Sequence, residues 1–190
     1  MVFLSFSTLV CSEKVVGIYP LFEGTSKPKS AKDLEFIEIK AKMACELNAK
    51  WHSVLPEIHW SNVVRNKHYI CFGAIYDWRY YAVGIWSSPI SRYLDGETIL
   101  ELRRLAIAPD SPKFTASRMI SQMIKTIKHK FPSIKTLVSY QDKSVHDGTI
   151  YKASNWTPVK LVTRTAWDVG KRKREVPQTK ADKTRWEYYI

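Results

Sequence analysis

The spacing of hydrophobic positions changes along the chain, and the changes divide it into elements. Residues 14–22 (KVVGIYPLF) are dense in β-branched and aromatic side chains and predict a strand, followed by a turn at 23–29 (EGTSKPK). Ser30 and Asp33 have the form of a helix N-cap with an acidic first turn. Behind them Leu34, Ile37, Ala41, Ala44 and Trp51 fall near one helical stripe, so a helix is expected to about Lys50. Pro56 ends any helix in WHSVLPEIHWSNVV at 51–64. Residues 68–76 and 80–87 are strand-like and flank Asp77, Trp78 and Arg79, which predicts a β-hairpin.

Residues 98–108 (TILELRRLAIA) predict another strand, and 109–114 (PDSPKF) a loop. The strongest helical signal covers 115–130, where Ile120, Ile124, Ile127 and Phe131 share a stripe with Met119 and Met123 beside it. Pro132 stops that helix. A strand at 134–140, a short helix at 147–154 and strands at 159–169 and 184–190 complete the order. A basic loop at about 170–183, holding Lys171, Arg172, Lys173 and Arg174, separates the last two strands. This order predicts one mixed α/β domain over 1–190, with its antiparallel part first and a mixed central sheet flanked by helices.

Composition narrows the function. With 45% hydrophobic and 13% aromatic residues the chain is globular, which excludes a disordered tail or linker. The net charge is +12, and residues 1–60 contribute none of it, since their 7 basic side chains balance 7 acidic ones. A basic field confined to the rest points to a polyanionic partner, the plainer alternative being a solvated basic surface. Cys11, Cys45 and Cys71 are widely spaced, without the paired spacing of a zinc knuckle or a disulfide framework, and fit a reducing compartment. The apolar start at 1–11 lacks a basic leader region and a small-residue cleavage site, and no run reaches the ~18 apolar residues of a membrane span. A cytoplasmic location without a membrane partner is expected.

Two segments resemble the GNAT acyltransferase fold. ELRRLAIAP at 101–109 is similar to that family's fourth strand, which ends before the donor-binding loop and third helix. GTIYKASNW at 148–156 is similar to the helix after the fifth strand, where the family often carries a tyrosine as general acid. The resemblance to the Mom family of phage DNA-modification proteins is closer still. It rests on SYQDKSVHDGTIYKASNW at 139–156, with WHSVLP at 51–56 and LRRL at 102–105, and spans about 45–160. It implies a GNAT-like α/β fold and the conversion of adenine in DNA to N6-carbamoylmethyladenine, which shields the DNA from restriction. One departure stands out. GNAT enzymes hold the coenzyme A pyrophosphate on a glycine-rich loop, whereas SPKFTAS at 111–117 has no glycine. A helix N-terminus still offers free amides to a phosphate, helped by Lys113, Thr115 and Ser117.

Against this background the candidate residues can be ranked. Tyr151 shares a helix face with Asp147 and is the expected proton donor, the alternative being a core tyrosine with a satisfied hydroxyl. Asp142 sits past a strand end, as a general base, a metal ligand or a turn aspartate. His52 and His146 are catalytic candidates or ordinary structural and surface histidines, and with Asp142 they have the composition of a two-histidine, one-carboxylate iron site. Arg103 and Arg104, adjacent on a strand, are expected to face opposite sides. Arg103 is then a donor-phosphate contact and Arg104 a nucleic-acid contact, or they pair with Glu101. Lys171, Arg172, Lys173 and Arg174 are candidate contacts to DNA phosphates, and Trp60, Trp78 and Trp86 candidate stacking partners for an unpaired base.

The expected activity is therefore group transfer to adenine N6 in double-stranded DNA. The product's chemistry suggests glycyl transfer followed by rearrangement, with glycyl-tRNA or an acyl-CoA as donor. The competing readings are a non-catalytic nucleic-acid-binding protein on a GNAT scaffold and an ordinary acyl-CoA N-acetyltransferase.

Overall fold

The computed structural model describes residues 26–52, 55–163 and 181–190. The strand expected at 14–22, the far end of the one expected at 159–169, and the four basic residues Lys171, Arg172, Lys173 and Arg174 lie outside them.

The first described segment departs from the sequence reading. Ser30 and Asp33 do form a reciprocal capping box, but it caps only the three-residue 3-10 turn Ala31–Asp33. The chain then enters strand β1 (Glu35–Glu38), and helix α1 (Ala41–Trp51) begins later than expected. Phe36 and Ile37 suit a pleated surface, and pairing with an open strand edge outweighs a helical stripe only a few residues long. A short helix α2 (Ser61–Val64) follows.

Strands β2 (Tyr69–Tyr76) and β3 (Arg79–Ser87) form the expected hairpin around the two-residue turn Asp77 and Trp78. Strand β4 (Ile99–Ile107) leads into α3 (Thr115–Lys130), whose limits match the periodicity of the sequence. Strand β5 (Thr136–Asp142), helix α4 (Thr149–Lys152) and strands β6 (Thr157–Val162) and β7 (Lys183–Tyr189) complete the order. The seven strands make one mixed sheet in the order β1-β2-β3-β4-β5-β7-β6.

Helices cover both faces. On one side α1 lies over β2, β3 and β4, burying Ala44, Cys45, Cys71, Val83 and Ile85. On the other, α3 presents Met119, Ile120, Met123 and Ile127 to Phe72, Trp86 and Leu102. The approach of α3 is close: a Cβ added at Gly84 would meet Met123 Sδ at 2.5 Å. The Trp86 indole N–H donates to that same sulfur at 3.1 Å.

Two features of the sheet around β4 shape the cleft. Between β3 and β4, Ile85 pairs with Arg104 but Trp86 pairs with Leu102, so Arg103 is the extra residue of a β-bulge. Between β4 and β5, the one parallel pairing among the described strands, register runs from Ile99/Thr136 to Leu102/Ser139 and stops. Strand β4 continues to Ile107 and β5 to Asp142 without pairing, and a cleft opens between them.

Candidate active site

The apex of the cleft is a chain of hydroxyls. Ser139 Oγ lies 3.3 Å from the Leu102 carbonyl and 2.8 Å from the Tyr151 hydroxyl. A carbonyl only accepts, so the Ser139 proton goes to Leu102 and the Tyr151 phenol donates to Ser139 Oγ. Both residues are buried, and burial pushes the Tyr151 phenol up, against the smaller opposing effect of the Ser139 hydrogen bond. Tyr151 is thus a neutral proton donor. It is a core residue with a satisfied hydroxyl, one of the two readings the sequence left open.

Its position is set by aromatic packing. The ring stacks on Trp186 with centroids 5.3 Å apart and meets Trp156 edge-on at 5.6 Å. Gln141 Oε1 accepts from the Trp186 indole at 2.8 Å, while Gln141 Nε2 donates to the His146 carbonyl. This ties the loop after β5 to the core. Gly148 completes the fit with φ of +76°, where a Cβ would meet Trp186 Cζ2 at 2.6 Å and Gln141 Oε1 at 2.8 Å. The left-handed turn at Gly148 also corrects one expectation. Asp147 is exposed and lies before α4, so it does not share a helical face with Tyr151.

Asp142 takes the form of a turn aspartate. Its Oδ1 accepts from the Ser144 amide at 2.9 Å and hydroxyl at 2.5 Å, and its carbonyl accepts from the amides of Val145 and His146. His146 is exposed at the surface of this loop. His52 ends α1 half-buried, and its Nδ1 accepts from the Leu55 amide at 3.4 Å. Burial holds the His52 pKa below its ordinary value, with Arg104 and then His146 adding repulsion. The expected iron site is corrected: among the described residues no group of three His, Cys, Asp or Glu side chains is placed to hold a metal ion. The physical reasons are local. Asp142 turns Oδ1 to its own loop, and the positive charge of Arg104 acts on His52, which disfavours a cation there.

The bulge corrects the orientation of the arginines. Arg104 pairs with Ile85, which packs under α1, and Arg103 donates to Ser87, two residues further along β3 on the same face, so both arginines lie on the α1 side of the sheet. Arg103 Nη1 donates to Ser87 Oγ at 3.4 Å. Arg104 donates to the carbonyls of Arg103 at 2.8 Å and Pro56 at 3.3 Å, which fastens the segment after α1 to β4. Glu101 is buried and forms no direct ion pair with either arginine among the described residues. Its carboxylate accepts from the Ile90 amide at 3.0 Å. Burial raises the Glu101 pKa, partly offset by that hydrogen bond and by Arg103, Arg104 and Lys183. The sequence expects Glu101 as a salt-bridge partner of the arginines. The available signal was a carboxylate inside the apolar run ILELRRLAI.

At the mouth of the cleft a pocket of about 280 Å³ lies between Ile107 of β4, the start of α3 and α4. Thr115, Ser117 and Phe114 line it, and Lys113 is exposed beside it. The hydroxyls of Thr115 and Ser117 donate to the carbonyls of Pro112 and Phe114, so these side chains shape the loop. The ligand-binding capacity is in the backbone. The amides of Ala116 and Ser117 have no acceptor among the described residues and sit at the positive end of a 16-residue helix. Phe114 adopts φ of 67°, the left-handed turn that glycine makes at lower cost. The helix start and the pocket beside it suit a ligand with an anionic end and an apolar arm.

The tryptophans separate by exposure. Trp86 is fully buried beneath α3, which removes it as a stacking surface. Trp60 is 42% exposed and leans on His59, while Trp78 is 72% exposed.

Comparison with solved structures identifies the same architecture. A GNAT-family acetyltransferase from Streptococcus pneumoniae matches with a TM-score of 0.58 at 12% identity, over 83% of this chain and 99% of its own. The ribosomal-protein-S18-alanine N-acetyltransferase from Escherichia coli matches at 0.58 and 13%, over 83% and 94%. Arabidopsis thaliana NAA60 in complex with acetyl-CoA matches at 0.60 and 11%, over 83% and 98%. A search of curated proteins finds no match. The Mom protein family model matches residues 33–187, a span that takes in the bulged β4, the hydroxyl chain and the pinned loop after β5. The chain belongs to the Mom protein family, built on the GNAT acetyltransferase fold.

Proposed function

We propose that the chain is a transferase that converts adenine in double-stranded DNA to N6-carbamoylmethyladenine, in the cytoplasm of the cell that makes it. The observation that carries this reading is the cleft between β4 and β5, with a neutral phenol relay at its apex and an anion-binding helix start at its mouth. Family membership and the +12 charge support a DNA substrate over a small molecule.

The product carries a CH₂ on the ring nitrogen, so acylation alone does not make it. An activated glycine does. In the first step adenine N6 attacks the glycyl carbonyl; a C–N bond forms, the ester or thioester bond breaks, and the leaving oxygen or sulfur takes up the proton that N6 loses. In the second step the glycyl amine attacks ring C6 through a five-membered spiro centre. The bond from C6 to the original N6 breaks, and that nitrogen departs as the carboxamide. The two N6 adducts are isomers, so no oxidant or reductant is consumed, and proximity favours the second step.

Residues of this chain divide the work. Tyr151 supplies a proton at the apex, to the leaving group or to the developing oxyanion, in concert with Ser139. His52, with Nδ1 occupied by the Leu55 amide and its proton on Nε2, and His146 handle protons on the α1 side of the cleft. The α3 start, through the amides of Ala116 and Ser117 with Lys113 beside them, holds the donor phosphate; Arg103, on the α1 side of the sheet and turned to Ser87, stands apart from it. Arg104 and the basic residues Lys171, Arg172, Lys173 and Arg174 meet the DNA backbone. A glycyl-tRNA donor suits a strongly basic chain; an acyl-CoA donor suits the fold.

The test is to feed ¹⁵N-glycine to cells making the protein, with labelling of purine precursors controlled, and to analyse the DNA nucleosides by mass spectrometry. The label is expected on the nitrogen bonded to ring C6. If the original N6 stays on C6, the glycyl route is wrong. If adenine is unmodified, the chain is a binding protein, and acetylated protein or small molecules instead would mark an ordinary acetyltransferase.

A further inference from the structure

We propose that Trp78 is a base-stacking prong, which lays its indole against a nucleobase where the DNA stack has been opened at the rim of the cleft. This rests on the proposed action on a DNA base and names one contact made during it.

The turn between β2 and β3 is closed by the pair Tyr76 and Arg79, leaving two central residues. Both have positive φ, 46° at Asp77 and 63° at Trp78. That is the mirror-image hairpin turn, in which aspartate suits the first place and glycine the second. A tryptophan in the glycine place is conformationally unfavourable, and here it is 72% exposed as well. No ring stacking or cation contact involves it among the described residues. The fold therefore gains little from this side chain and bears its strain.

The surroundings hold the prong stiff and place it. Asp77 Oδ2 accepts from the Ser26 amide at 3.2 Å and hydroxyl at 2.8 Å. Arg79 pairs with Asp110 at 2.7 Å and lies over the Tyr81 ring, with its guanidinium carbon 5.2 Å from the centroid. Asp110 belongs to the loop between β4 and α3, so the hairpin tip is tied to the mouth of the cleft. Exposed Lys27 and Lys113 stand on the two segments that meet this tip, which suits a phosphate backbone on either side of a stacked base. The amine to be modified is buried in the paired stack of a duplex, so an enzyme acting on it has to open that stack. A rigid, exposed aromatic face is the chemistry that receives an unstacked base of any sequence.

Two variants, Trp78→Gly and Trp78→Phe, test this with fluorescent duplexes that are either fully paired or carry one mismatched adenine. Trp78→Gly is expected to melt at or above the wild-type temperature, because glycine suits the turn. It is expected to bind the mismatched duplex about 5- to 150-fold more weakly, with a smaller loss on the paired duplex. Trp78→Phe is expected to recover part of the affinity. Binding of Trp78→Gly within roughly twofold of wild type, well below the change stacking predicts, overturns the proposal. So does a clear fall in its melting temperature, which makes the indole structural. Wild-type protein that modifies DNA while Trp78→Gly is unaffected sinks the prong alone; wild-type protein that neither binds nor modifies DNA sinks the functional reading and the prong together.

Discussion

The Tyr151 hydroxyl lies 2.8 Å from Ser139 Oγ at the last residue pair before β4 and β5 separate. Ser139 passes the interaction on to the Leu102 carbonyl, so one phenol proton reaches across the seam of the sheet.

Tyr151→Phe removes only that hydroxyl and leaves the ring on Trp186. Ser139 keeps its bond to Leu102, so the stability loss is expected to be roughly 0.5–1.5 kcal/mol, readable as a shift of the urea midpoint. Adenine modification is expected to fall by about 10²–10⁴-fold, measured as modified nucleoside per DNA at equal folded protein. Near-normal modification would return Tyr151 to a purely structural role.

Gly148→Ala addresses the loop after β5. The position has φ of +76°, and a Cβ would strike Trp186 and Gln141 within 3 Å. A loss of roughly 1–3 kcal/mol is expected from strain and overpacking together. The Trp186 fluorescence environment should change with it; an unperturbed variant would show that the loop is not pinned as described.

His52 gives a pH signature. Its folded pKa lies below the ordinary 6.5, through burial first and Arg104 second. The unfolded chain then binds the proton more readily, and stability falls as pH drops from about 6.5 toward the depressed folded value. Above pH about 6.5 the penalty is absent. Melting temperatures of wild type and His52→Gln should converge at pH 7.5 and part at pH 5.5, with the variant losing less. Parallel curves would refute the shift.

DNA binding is expected to weaken steeply with salt. Neutralising Lys171, Arg172, Lys173 and Arg174 should lower the slope of log affinity against log salt by up to about 0.9 per lost phosphate contact. An unchanged slope removes these residues from the interface.

Much of this was legible in the sequence. The α3 stripe, the hairpin, strand β4 and the short helix carrying Tyr151 depend on local periodicity and punctuation, and all formed. The errors were non-local. Residues 35–38 became a strand because β2 offered an edge, which no local pattern reports. Arg103 and Arg104 share a side because of a bulge that is visible only in the pairing of β4 with β3. The proposed iron triad combined residue types without knowledge of distance, and Arg104 and the Asp142 turn stand in its way. The glycine-free loop looked like a defect until Phe114 proved to take the left-handed turn itself.

The bulged β4 and its early separation from β5 have a thermodynamic consequence. From Arg103 to Ile107 one edge of β4 makes no ladder with β5, so a molecule with amide groups along its length can occupy that edge as a surrogate strand. Nothing in the sheet has to come apart to admit it. The conformational cost of exposing a strand edge is met when the chain folds, and a ligand that arrives there meets a preorganised template.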